Sequence, residues 1–161
     1  MKPRNISDRV QWMGAIDWNR RLFDSLIPLP DGTSYNVYFV QGSEKTALID
    51  TVDPAKVDIL LEQLKDIPHI DYLISHHAEQ DHSGSIPVIL EKYPEAKLVC
   101  SQKAKELLID HLCVAGERIK IVEDGETLSL GDRNLTFIYT PWVHWPETMV
   151  TYLKEEKILF T

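Results

Sequence analysis

Along the first fifty residues apolar positions come in short runs with a period near two. Val10–Met13, Ser34–Gln41 and Lys45–Asp50 read as strands. The middle one alternates as a half-buried strand does, and Gly42 and Ser43 supply the turn that follows it. The period then lengthens. From Pro54 to about Lys65, the residues Val57, Ile59, Leu60, Leu61 and Leu64 approximate one helical face, and Pro54 suits a first turn because that position needs no N–H. Ile70–Ser75 returns as a core strand, Ile86–Lys92 as a helix that ends before Pro94, Ala96–Ser101 as a strand and Lys103–Leu112 as a helix. From Lys45 onward strand and helix therefore alternate in the βαβ manner.

After Gly116 the pattern changes to strand-like runs at Arg118–Val122, Thr127–Leu130, Asn134–Thr140, Met149–Leu153 and Lys157–Phe160. Asp-Gly, Gly-Asp-Arg and Trp-Pro punctuate them, as a second sheet requires. No linker, low-complexity tract or internal repeat interrupts the chain. The pattern predicts one domain over residues 1–161, of α/β or α+β class with mixed sheets.

Composition narrows the setting. Hydrophobic residues make up 43% of the chain, enough for a core, while no apolar run approaches the roughly 18 residues that span a bilayer. Met1-Lys2-Pro3-Arg4 leads into polar sequence without the apolar segment of a signal peptide, so a cytoplasmic protein is expected. A net charge of −8 disfavours nucleic acid and anionic membrane as partners. The two cysteines, Cys100 and Cys113, sit among apolar neighbours and read as buried thiols of a reducing compartment. Trp12, Trp18, Trp142 and Trp145 read as packing anchors, with Trp145 placed beside His144 to shape a pocket.

The chemistry concentrates in His77-Ala78-Glu79-Gln80-Asp81-His82, four ligand-type residues in six, directly after a predicted strand. Imidazole suits iron, zinc and copper, and the hard oxygens of Glu79 and Asp81 tilt a mixed site toward iron or manganese. A binuclear metal centre is the expectation; a solvated polar loop is the alternative. In extended chain His77, Glu79 and Asp81 share one side, and His82 joins them only if the chain turns. Ser83-Gly84 supplies that turn and a cap for the next helix, with Pro87 in its first turn. His76 is expected to point away from His77, in a supporting or packing role. His69 and His111 lack ligand-spaced partners and read as surface residues.

The His-x-Glu-x-Asp-His run resembles that of the flavodiiron proteins, whose N-terminal domain has the metallo-β-lactamase fold. Gly14-Ala15-Ile16-Asp17-Trp18, Thr33-Ser34-Tyr35-Asn36, Thr46 to Val52, and Pro141 to Met149 around His144-Trp145-Pro146 extend the likeness along nearly the whole chain. The resemblance implies an αββα sandwich, incomplete in this chain. It implies that His77, Glu79 and His144 bind one iron and Asp81 and His82 the other. Asp50 resembles the aspartate that supports the metal loop through hydrogen bonds.

By the same resemblance, Ile158-Leu159-Phe160-Thr161 is the strand leading to the family's bridging aspartate. That Asp, a further His and the flavodoxin-like domain carrying flavin mononucleotide (FMN) are then expected beyond it, on a complementary chain or a second protomer. The implied activity is reduction of dioxygen to water or of nitric oxide to nitrous oxide. The electron donor would be of rubredoxin, flavin or deazaflavin type. A metal-dependent hydrolase, a flavin-free di-iron oxygen sensor and an inactive fragment are the alternatives, and Glu79 in place of the hydrolases' usual His argues against the first.

Overall fold

The computed structural model describes residues 1–161. In chain order the elements begin with β1 (Arg4–Ser7), β2 (Val10–Trp12), β3 (Ala15–Asp17), β4 (Leu22–Phe23), β5 (Ile27–Pro28), β6 (Thr33–Tyr35), β7 (Tyr38–Gln41) and β8 (Thr46–Ile49). A 3-10 turn, Pro54–Lys56, opens α1 (Val57–Gln63); β9 (Tyr72–Ile74), α2 (Gln80–Ser83), α3 (Ile86–Lys92), β10 (Lys97–Cys100) and α4 (Gln102–Leu112) follow. The chain closes with β11 (Ile119–Ile121), β12 (Thr127–Ser129), β13 (Asn134–Tyr139), β14 (Met149–Leu153) and β15 (Ile158–Phe160).

A seven-stranded sheet has the order β1-β2-β7-β8-β9-β10-β11, antiparallel as far as β8 and parallel from β8 to β11. Its central strands are apolar on both faces, and their period of two divides them between two cores. Phe39, Leu48, Leu73 and Leu98 face the helices, meeting Leu60 and Leu64 around α1, Ile86 and Ile89 of α3 and Leu108 of α4. Their neighbours Val40, Ala47, Ile49, Ile74 and Val99 face the other way, onto Leu128, Leu135, Phe137, Met149, Leu153 and Phe160 of a second, four-stranded sheet, β12-β13-β14-β15.

The layers run helix, sheet, sheet. No helix covers the far face of the second sheet, where Ile138 and Leu159 are exposed. Gly42 joins the two sheets at one end: a Cβ there would lie 2.1 Å from the Leu130 carbonyl oxygen, so only glycine permits the approach. No helix is long and apolar enough to cross a membrane.

Several expectations need correction. Ser34–Gln41 is not one strand: Thr33–Tyr35 pairs with β3 and Tyr38–Gln41 with β2 and β8. The alternation runs through both because Tyr35, Val37 and Phe39 all enter the helix-side core. The strands β1, β3, β4 and β5 had no signal of their own, being two to four residues long. Ser83 does not cap α3, which begins after Ser85 with no side-chain cap; its hydroxyl donates instead to the Ala78 carbonyl at 2.7 Å. Cys113 is exposed, because it takes the left-handed turn after α4, whereas Cys100 is buried on β10. Trp18 and Trp142 are 64% and 72% exposed and anchor no core, unlike Trp12, whose ring is buried and donates to Asn36 at 3.0 Å.

Candidate metal centre

The loop bearing the motif leaves the C-terminal end of β9, in the middle of the parallel part of the sheet, where its two neighbouring strands also end. Those ends clasp it. Asp50, just after β8, accepts the His76 backbone N–H at 2.8 Å, and Thr51 donates its N–H and hydroxyl to the His82 carbonyl at 2.9 and 2.6 Å. Asp50 adopts φ 58°, the left-handed turn that carries the chain from strand to loop. From the second sheet, Met149 donates its N–H to the His76 carbonyl at 3.1 Å.

His76 does point away from His77. Its Nε2 lies 2.6 Å from the Thr151 hydroxyl on β14, and its Nδ1 is 3.2 Å from Asp50 Oδ2, an ionic contact without hydrogen-bond alignment. Although burial opposes ionisation of Asp50, the charge and hydrogen bonding of His76 hold its carboxyl below the ordinary value. Asp50 and His76 thus tie the two sheets together beneath the loop.

On the open side, His77, Glu79 and His144 bring one ligand atom each to within 4.8 Å of the others. His77 Nε2 stands 3.0 Å and His144 Nε2 3.2 Å from the same Glu79 Oε2. His144 reaches this point from the loop between β13 and β14, next to a cis Val143–His144 peptide, and remains 66% exposed. Trp145 lies edge-on to the His77 ring at 5.0 Å and 90°, limiting its rotation.

Asp81 and His82 are not in that cluster. The extended reading of residues 77 to 81 stops at Glu79, because Gln80–Ser83 coils into α2 and swings Asp81 out of line. Asp81 and His82 instead face one another at 3.6 Å, with the His82 ring 5.4 Å from that of His77. Burial pushes the Asp81 carboxyl above its ordinary value, opposed by His82 and reinforced by Glu79, and Asp81 Oδ1 is enclosed without a partner. A cleft of about 430 Å³ opens beside Asp50, His76, His77, His82 and His144. A larger one, about 600 Å³ near Gln11, Gln63 and Lys65, holds no cluster of ligand-type side chains.

Sequence reasoning missed Glu147. Its carboxylate is fully buried, with Oε1 2.7 Å from His77 Nδ1 and 3.0 Å from the Ala78 N–H that donates to it. Both ring nitrogens of His77 therefore face carboxylates. A neutral imidazole has one N–H and satisfies one of them, so a proton or a metal ion must stand between the other nitrogen and its oxygen. Nitrogen and carboxylate donors about 2.0–2.2 Å from an ion lie about 3.0–3.5 Å apart in octahedral to tetrahedral coordination, a range close to the Glu79 separations. Together with the enclosed, unpaired Asp81 oxygen, the mixed imidazole and carboxylate donor set fits a metal ion.

Comparison with known proteins gives consistent matches. The family model described as "ODP family beta lactamase" matches residues 33–161. A nitric oxide reductase of Moorella thermoacetica is 42% identical, over 98% of this chain and 40% of its own length. Among solved structures, rubredoxin oxygen:oxidoreductase from Desulfovibrio gigas superposes with a TM-score of 0.92 at 38% identity, covering 98% of this chain and 40% of that one. The flavodiiron protein of Giardia intestinalis does so with a TM-score of 0.89 at 34% identity, covering 99% and 39%. The chain thus spans about two fifths of the length of these relatives.

Proposed function

Because the chain belongs to the flavodiiron proteins, with their metallo-β-lactamase-like domain, we propose that it furnishes much of a di-iron centre for reducing dioxygen or nitric oxide. His77, Glu79 and His144 hold one iron in this reading, and Asp81 and His82 hold the second. When bound, a pair of ferrous ions would supply open coordination positions and pass on electrons for reduction of a small diatomic molecule. The protein's share is electrostatic and geometric. Glu79 and Asp81 lower the mutual repulsion of two adjacent dications, and the Asp50 and Thr51 contacts fix the loop that carries them.

Electrons would come through FMN on a further part of the protein, a complementary chain or a second protomer, which also completes the ligand set. The donor behind it is of rubredoxin, flavin or deazaflavin type, and the setting is cytoplasmic. The single domain over 1–161 is part of the same proposal. The observation that carries it is the convergence of two imidazole nitrogens on one Glu79 oxygen. Anaerobic ferrous titration of the purified protein tests it: iron should bind, and Glu79→Ala should lower the amount retained after desalting. Equal iron content in wild type and variant would defeat the assignment.

A further inference from the structure

We propose that Glu147 is the positioning residue of this centre, holding the single proton of His77 on Nδ1 so that the Nε2 lone pair is aimed at the space shared with Glu79 and His144. The inference rests on the metal reading above and adds a residue outside the metal-binding motif. Glu147 meets the far nitrogen of His77, not its metal-facing Nε2, and so acts through the ring.

Its placement is unusually constrained. The Glu147 side chain has no solvent exposure, and its Oε1 meets both His77 Nδ1 at 2.7 Å and the Ala78 N–H at 3.0 Å. Its own backbone carbonyl accepts the Ser101 hydroxyl at 2.8 Å, so the residue is tethered at the start of α4 as well. Oε2 is buried and has no partner, which leaves the hydrogen-bonding of the carboxylate committed to Oε1. A buried carboxylate makes an orphan N–H of its partner very costly to leave unpaired, so the His77 proton stays on Nδ1. A carboxylate behind an imidazole also raises the basicity of the opposite nitrogen.

The same short segment, His144 to Glu147, therefore delivers one ligand and orients another. It comes from the second sheet, whereas His77 follows β9 of the first, 70 positions away from Glu147. The His77 ring is held at Nδ1 by Glu147 and across its face by the perpendicular Trp145.

The test uses two variants and two readouts on the purified protein. Glu147→Gln keeps an oxygen acceptor of the same shape; Glu147→Leu removes it. In metal-free wild type at pH 8, nitrogen-15 spectra of labelled histidine should show a proton on His77 Nδ1, Gln should preserve it, and Leu should leave a proton on Nε2 alone, where Glu79 is the remaining acceptor. Ferrous affinity by chelator competition should fall about 10–100-fold in Leu and be largely restored in Gln. A His77 without a proton on Nδ1 in wild type overturns the proposal without any variant, even if Leu fails to fold. So does a folded Leu variant with wild-type affinity. If wild type binds no ferrous iron, the metal reading falls instead, and the tautomer alone decides whether Glu147 orients His77.

Discussion

Asp50→Ala should destabilise the protein by about 3 kcal/mol. The carboxylate is buried and accepts the His76 backbone N–H at 2.8 Å; Ala leaves that donor unpaired in the interior, which costs about 1–3 kcal/mol. Loss of the carboxylate beside His76 Nδ1 at 3.2 Å adds to this and takes the sum to the upper end of that range. Asp50→Asn retains an acceptor for the N–H and loses only the charge, so about 1 kcal/mol is expected. With a urea m-value of about 2 kcal/mol/M, the Ala variant should unfold at a midpoint about 1.5 M lower.

The pH dependence supplies a second reading of the same contact. The folded pKa of Asp50 lies below the ordinary carboxylate value of about 3.9, so its contribution is fully present above that pH. It is lost as pH falls through the depressed folded value. The stability difference between wild type and Asp50→Asn should therefore shrink as pH falls below about 4. An Asp50→Ala variant within about 0.5 kcal/mol of wild type would show that the clasp under the metal loop carries no weight.

His69 is exposed and its side chain bonds only to Asp71, so His69→Ala should leave iron content unchanged in the assay that detects the loss in Glu79→Ala. Phe137→Ala removes a fully buried ring between the sheets and should cost about 3–5 kcal/mol in urea unfolding. Exposed Cys113 should react promptly with a thiol reagent in the native protein. Cys100, buried and pushed up to about 12, should react only on unfolding, so two fast thiols would contradict the placement of β10. Ser83→Ala strips a buried hydroxyl from the Ala78 and Glu79 carbonyls and should cost about 1 kcal/mol, measured the same way.

The alternating section from Lys45 to Leu112 was legible because its strands are apolar on both faces and its helices on one, so period and length distinguish them. Ile86–Lys92 was read with its observed limits, helped by Pro87 and Pro94. The helical turn at Gln80–Ser83 was not legible, since four residues carry no period, and with it went the placement of Asp81. Glu147 was invisible for a different reason. Its partner lies 70 positions away, and its only local signal was proximity to His144 in a loop already marked by Pro141 and Pro146. The N-terminal hairpin Leu22–Pro28 is held by two paired positions, too few to imprint an alternation.

The two sheets share one buried face but send separate arms to the candidate centre, His77 and Glu79 from the first and His144 from the second. A ligand held between those arms is consequently a bridge between the two layers that unfolding must give up. Whatever occupies that position is felt throughout the interface around Phe137 and Ile74, as added resistance to prising the layers apart that grows with the logarithm of its concentration over its dissociation constant. The sandwich in this sense works as a gauge: its melting temperature registers how well the centre is filled.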